Sequence, residues 1–199
     1  AVRSGLLAGL RKRGLRETEE DQQLLGRLGL LQRCLGEPWH QVSDAALLDS
    51  LERWLAPRLD GINRLEQIDR LALAQIFVES LDWSLQQSLS KLAPTHLDVP
   101  SGSRIRLDYS GEEPVLAVKL QELFGQTHTP TLVDGKIPVL LHLLSPARRP
   151  VQVTRDLAGF WQGSYFEVRK DLKGRYPRHP WPDDPLNAPA SARAKKKGT

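Results

Sequence analysis

Residues able to do covalent or metal chemistry are few in this sequence. Asp108, followed by Ala117-Val118-Lys119, matches in outline the Asp…Glu-x-Lys arrangement of metal-dependent nucleases, provided that 115–120 is a strand. Such sites hold their metal between two carboxylates. Ala117 stands where the second carboxylate should be, so the pattern predicts no nuclease activity. The five histidines, at 40, 96, 128, 142 and 179, show no ligand spacing. Cys34, the single cysteine, lies in a Leu-rich helical segment where a thiol is inert packing. It can neither close an intrachain disulfide nor build a Cys-rich zinc site. The sequence contains no Gly-x-x-x-x-Gly-Lys-[Ser/Thr] loop, Gly-x-Gly-x-x-Gly turn, His-Glu-x-x-His pair or Gly-x-Ser-x-Gly elbow. No catalytic, cofactor-binding or metal-ligating residue is assigned.

Charge carries the stronger signal. The formal net charge is only +4. From Arg148 onward, however, 12 basic residues face 5 acidic ones, a net +7, while the rest of the chain is at −3. Such asymmetry points to an anionic partner. The basic residues are Arg148, Arg149, Arg155, Arg169, Lys170, Lys173, Arg175 and Arg178, with Tyr176 and Trp181 interleaved. Cations that contact phosphates, beside aromatic rings that stack on bases, are the chemistry of single-stranded RNA or DNA binding. The plainer reading is a solvated basic tail, with the cations of the last helix complementing its dipole.

The elements that must position these residues fall into two halves. With 199 residues, 40% apolar and 26% charged, the chain can bury a real core. It has no apolar run of the roughly 20 residues that a membrane span needs, and nothing resembles a signal peptide. A reducing, cytoplasmic setting follows. The absence of methionine and the uncapped helical spacing of Val2, Leu6, Leu7 and Leu10 suggest a piece of a longer protein. Residues 17–35 predict a helix with an acidic start and an apolar stripe of Leu24, Leu28, Leu31 and Leu35. Ser43 caps a second predicted helix through Leu55, residues 63–78 predict a third, and the stripe Leu81, Leu85, Leu89, Leu92 a fourth. Residues 1–93 therefore read as an α-helical bundle.

Around Pro94 the pattern changes to a small α+β domain over 94–187. Ile105, Leu107 and Tyr109 alternate with polar residues as in a half-buried strand. Segment 113–124 is ambiguous, with helix favoured over strand. Asp134-Gly135 signals a type I′ hairpin. Val139–Leu144 suits a buried strand. Thr154 is the expected cap of one final helix carrying Leu157, Phe160, Trp161, Tyr165, Val168 and Leu172. The Pro-rich stretch 176–185 should be extended, clamped by its Tyr and Trp. Residues 188–199 read as a disordered basic tail. The fold class is thus mixed α and β: an N-terminal helical bundle followed by a small α+β domain.

Three runs resemble the C-terminal region of the bacterial HrpB-type DEAH-box ATP-dependent helicases. They are Ala93-Pro-Thr-His-Leu-Asp-Val-Pro-Ser-Gly-Ser-Arg-Ile-Arg-Leu-Asp-Tyr109, Leu144-Ser-Pro-Ala-Arg-Arg-Pro-Val-Gln-Val-Thr-Arg-Asp-Leu-Ala-Gly-Phe-Trp161 and Lys170-Asp-Leu-Lys-Gly-Arg-Tyr-Pro-Arg-His-Pro-Trp-Pro-Asp-Asp184. Together they cover most of 93–187; the helical half matches more loosely. The resemblance implies a parent chain with two upstream RecA-like motor domains, which hold ATP and magnesium and are partners in cis. Neither the P-loop nor the Asp-Glu-Ala-His box occurs here, so no ATP-binding residue carries over. What the resemblance implies for this chain is an accessory role, lining or bracing a nucleic-acid channel. A purely structural or protein-interaction module is the alternative.

Overall fold

The computed structural model describes residues 2–193. They form a mixed α and β structure in two units. The first runs to Ala93 and takes in Tyr109–Glu112; the second comprises Pro94–Asp108 and the residues from Glu113 onward.

The first unit is helical. It contains α1 (Val2–Arg13), α2 (Glu19–Leu35), α3 (Asp44–Asp49), α4 (Leu51–Trp54), α5 (Leu65–Ile68), α6 (Leu73–Glu79) and α7 (Trp83–Leu92). α2 begins with a capping box: the Asp21 N–H donates to Thr18 Oγ1, and Asp21 Oδ2 accepts from the Thr18 N–H. Its buried stripe is Leu25, Leu28, Leu30 and Leu31, while Leu24 and Leu35 of the expected stripe are half-buried. α6 and α7 pack against α2.

The helices expected from Ser43 and Asn63 are each broken in two. In the first, Ser43 caps α3 as predicted. Ser50 Oγ then donates to Ala46 O at 2.7 Å at the junction with α4, an i−4 back-bond of the kind that bends helices. In the second, Asp69 is drawn to Arg13, whose Nη1 lies 3.0 Å away. The start of α6 is capped from outside: the Ala74 N–H donates to Asp21 Oδ1 at 2.8 Å. A tertiary cap there makes a new helix start cheaper than continuation.

Two further features hold the unit together. The buried Arg27 guanidinium donates through Nε to Ala93 O at 2.7 Å, just past the end of α7. Tyr109–Glu112 lies along α2: the Tyr109 N–H donates to Gln23 Oε1 at 2.8 Å, and Arg33 Nη2 to Glu112 O at 2.9 Å. Burial pushes the Tyr109 phenol above its ordinary range.

The second unit is built on a five-stranded sheet. Its strands are β1 (His96–Asp98), β2 (Arg104–Asp108), β3 (Val115–Lys119), β6 (Leu140–Leu144) and β7 (Pro150–Thr154), in the order β1-β2-β3-β6-β7. Only the β3–β6 pair is parallel. The register sets Leu107 beside Leu116 and Leu116 beside Leu141, with Val118 beside Leu143, so one face of the sheet is apolar and buried. The helix favoured at 113–124 is therefore corrected to a strand running into a 3₁₀ turn over Leu120–Leu123. The connection to β6 carries a two-stranded ribbon, β4 (Thr131–Leu132) with β5 (Ile137–Pro138). Asp134-Gly135 does lie in its loop, but the loop has four residues, and Val133, Asp134 and Gly135 all have positive φ. Within it Asp134 and Gly135 hold the two positive-φ positions of a type I′ turn, closed by the Lys136 N–H donating to Val133 O at 3.2 Å.

The expected final helix is divided into α8 (Leu157–Gln162) and α9 (Tyr165–Arg175), with Gly163 between them. Its cap is Asp156, which accepts from the Gly159 N–H at 2.9 Å; Thr154 ends β7 instead. Phe124, Phe160, Trp161 and Tyr165 form one aromatic cluster, with ring centroids 5.1–6.3 Å apart. The Tyr165 hydroxyl donates to Pro182 O at 2.7 Å, pinning the Pro-rich return to α9.

Burial pushes the Tyr165 phenol up to about 12. The unfolded phenol releases its proton near about 10, so the folded state holds a proton that the unfolded state loses. This contribution is full below about pH 10 and falls as pH rises towards 12. Urea midpoints measured across that range should fall less steeply in Tyr165→Phe than in the wild type; equal slopes would refute the assignment.

Beyond the Pro-rich stretch, the chain expected to be free is held as far as it is described. The Ser191 N–H donates to Gln121 O at 3.0 Å, and Lys119 Nζ to Ala192 O at 3.3 Å. Residues 194–199, the rest of the expected tail, lie outside the described residues. Among the described residues no helix is long and apolar enough to cross a membrane.

Candidate nucleic-acid interface

The eight basic residues singled out above divide into two groups. Three are committed to neighbours. Arg155 forms a forked ion pair with Glu113. Arg169 donates through Nε to Trp181 O at 2.9 Å and pairs with Asp183 at 2.5 Å, its side chain only 20% exposed. Arg175 pairs with Asp171 at 3.0 Å, one turn back along α9.

The other five, Arg148, Arg149, Lys170, Lys173 and Arg178, are exposed and make no ion pair among the described residues. Arg148 and Arg149 sit at the tip of the β6–β7 hairpin. There the Arg148 N–H donates to Ser145 O, the Arg149 N–H to Ser145 Oγ, and the Ser145 N–H to Arg149 O. This knot holds Arg148 at φ 62°, in the left-handed region. A residue with a side chain costs about 1–2 kcal/mol there. A glycine would avoid that cost but carry no charge.

The two aromatic partners differ in exposure. Trp181 is 8% exposed, and its Nε1 donates to Tyr176 O at 2.8 Å. Packed in this way it clamps the Pro-rich return and offers no face to a base. Tyr176 is half-buried, with its ring edge-on to His179 at 6.3 Å. Burial, together with Lys119, pushes His179 below its ordinary range, which favours a neutral imidazole.

Phe166 escapes a reading based on apolar stripes. It is 48% exposed on α9. The available signal is its spacing: Phe166, Lys170 and Lys173 stand at i, i+4 and i+7, on one face of the helix. Tyr165 and Leu172 are buried on another.

The nuclease-like pattern does not assemble. β3 forms, but Asp108 lies opposite Val115. Lys119 is four residues further along, about 13 Å at strand rise, and reaches Ala192 O instead. Among the described residues no three His, Cys, Asp or Glu side chains group as metal ligands.

The sequence pattern of the HrpB_C family, ATP-dependent helicase C-terminal, matches residues 54–185. The chain belongs to that family. The HrpB_C match takes in the whole sheet, α8, α9 and all eight basic residues, but not α1 or α2. The ATP-dependent RNA helicase HrpB of Escherichia coli K12 is 44% identical over 98% of this chain. A crystal structure of the E. coli DExH-box NTPase HrpB superposes with a TM-score of 0.87, at 46% identity over 94% of the chain. A crystal structure of the Escherichia coli DEAH/RHA helicase HrpB gives 0.74, at 43% identity over 88%. The chain spans about a quarter of the length of these relatives, which is 25% of the first and 24% and 23% of the others. It is homologous to the C-terminal region of HrpB.

Proposed function

We propose that this chain is a non-catalytic accessory region of an ATP-dependent helicase, which contacts single-stranded RNA or DNA electrostatically and braces the motor domains in cis. The motor domains hold ATP and magnesium; no residue of this chain matches an ATP-binding motif, so none is assigned to either. The observation that carries the reading is the set of five exposed cations without acidic partners among the described residues, Arg148, Arg149, Lys170, Lys173 and Arg178. Unpaired surface cations in a chain homologous to part of a helicase are free to exchange their counterions for phosphates. The strained Arg148 backbone adds support, because strain at a loop tip is retained where the side chain has work to do.

Fluorescence anisotropy of a labelled single strand, titrated over a salt series, tests this. If all five cations contact phosphates, log K should fall with log salt at a slope of about −3.5. Replacing both Arg148 and Arg149 by Ala should flatten the slope by about 1.4, with the melting temperature unchanged or raised. Absence of binding even at low salt would end the nucleic-acid reading and leave the basic side chains to dock on protein.

A further inference from the structure

We infer that the Phe166–Lys170–Lys173 face of α9 is a stacking platform that distinguishes single-stranded from duplex nucleic acid. The inference rests on the proposed nucleic-acid contact and supplies the element that gives it strand selectivity. Of the two rings expected to stack, Trp181 is buried and hydrogen-bonded and Tyr176 is half-buried. Phe166 is the aromatic residue of this unit with a large exposed surface, at 48%.

Its surroundings suit an unpaired base beside a phosphate backbone. Lys170 and Lys173 stand about 6 Å and 10 Å further along the helix axis on the same face. Both are exposed and neither has an acidic partner among the described residues. Their long stems can swing to flanking phosphates while the ring stays fixed. The ring packs edge-on against Tyr165, with centroids 5.6 Å apart, which limits the ordering left to be done on binding. Of the acids of α9, Asp171 is turned about 140° from Phe166 and is paired with Arg175, while Glu167 borders Lys170 at i−3 without pairing with it among the described residues. A ring flanked by two free ammonium groups fits a ligand that is both anionic and flat-faced. An acidic peptide would use the charges and leave the ring without a matching surface. A duplex keeps its base faces stacked internally and offers only its phosphates.

The 199-residue chain and its Phe166→Ala and Phe166→Trp variants are titrated with a single strand carrying 2-aminopurine and with a duplex of the same sequence. In wild type the 2-aminopurine emission should be quenched on binding. Phe166→Ala should lower single-strand affinity about tenfold, abolish the quench and leave the salt slope and the duplex affinity unchanged. Phe166→Trp should retain both affinity and quench. Circular dichroism melts confirm that the variants fold. If wild type binds with the steep salt dependence described above but Phe166→Ala matches it on single strands, the basic-surface reading stands and the stacking platform is overturned. Equal losses on single strand and duplex overturn it too. If wild type binds neither at low salt, both readings fall.

Discussion

Gly26→Ala should strongly destabilise the first unit, although local propensity alone predicts the opposite sign. Gly26 lies inside α2, where alanine is intrinsically better by about 1 kcal/mol. A Cβ at this position would stand 2.0 Å from Tyr109 O and 2.9 Å from Tyr109 C. Those are backbone atoms and cannot swing aside as a side-chain tip can. The Tyr109–Glu112 segment would have to lift away from α2, giving up the Tyr109 N–H bond to Gln23 and the Arg33 bond to Glu112 O. Overpacking of this kind costs about 1–3 kcal/mol and sometimes more, and the lost hydrogen bonds add about 1 kcal/mol each. A net loss of about 2–4 kcal/mol remains after the propensity gain. Gly29→Ala is the control on the same helix. Its Cβ would meet the far end of Arg33 at 3.2 Å and Val42 Cγ2 at 3.6 Å, so it should be neutral or gain up to about 1 kcal/mol. Urea denaturation of both variants measures the contrast. An unchanged midpoint for Gly26→Ala would mean that Tyr109–Glu112 is not held against α2.

That close approach also shows why the sequence conveyed the elements better than their arrangement. The alternation Ile105, Leu107, Tyr109 reads as one strand, yet β2 ends at Asp108 and Tyr109 belongs with the helices. Nothing local marks the change; Gly26, more than eighty positions earlier, makes room for it. Segment 113–124 misleads for a different reason. Leu116, Leu120, Leu123 and Phe124 keep helical spacing and are all buried. They are buried by a strand that turns directly into a 3₁₀ segment, so two shorter periods together mimic a longer one. The buried sets around Leu47–Leu55 and Ile68–Val78 were legible from the stripes. The breaks within them were not, because they come from Ser50 Oγ bonding back to a carbonyl of its own helix and from Asp69 and Asp21 bonding to other elements.

The basic residues were legible by type, and their availability was not. Arg155, Arg169 and Arg175 carry the same charge as Arg148 and Lys170, but Glu113, Asp183 and Asp171 reach them in the fold. Asp183 and Glu113 are distant in sequence from the cations they neutralise. Trp181 and Phe166 differ in exposure on the same ground. The tryptophan, expected both to clamp the extended Pro-rich stretch and to stack on a base, is buried with its indole N–H donating to Tyr176 O, as the clamp requires. The phenylalanine adjoins an apolar stripe but is turned away from it.

Asp21→Ala should be the second large effect, because this one carboxylate serves two helices. Asp21 is 3% exposed. Oδ2 accepts from the Thr18 N–H at 3.0 Å and from Thr18 Oγ1 at 2.8 Å; Oδ1 accepts from the Ala74 N–H at 2.8 Å. Removing the carboxylate dismantles half of the α2 capping box, a loss of about 1 kcal/mol. It also strands the buried Ala74 N–H, which costs about 1–3 kcal/mol in the absence of a replacement acceptor. The sum is a loss of about 2–4 kcal/mol. Thr18→Ala removes only the α2 side of the arrangement and should cost about 1 kcal/mol. The double variant should then cost less than the two singles added, since both remove the Thr18–Asp21 contact. Asp21→Asn keeps one acceptor oxygen but sets an amide NH₂ against a donor, so it should fall between wild type and Asp21→Ala. The signature of a shared cap, as opposed to a general packing loss, lies in hydrogen exchange. In Asp21→Ala the amides at the start of α6 should lose protection together with those at the start of α2, whereas in Thr18→Ala those of α6 should keep it. Protection lost at α2 alone in both variants would show that α6 does not depend on Asp21 for its cap.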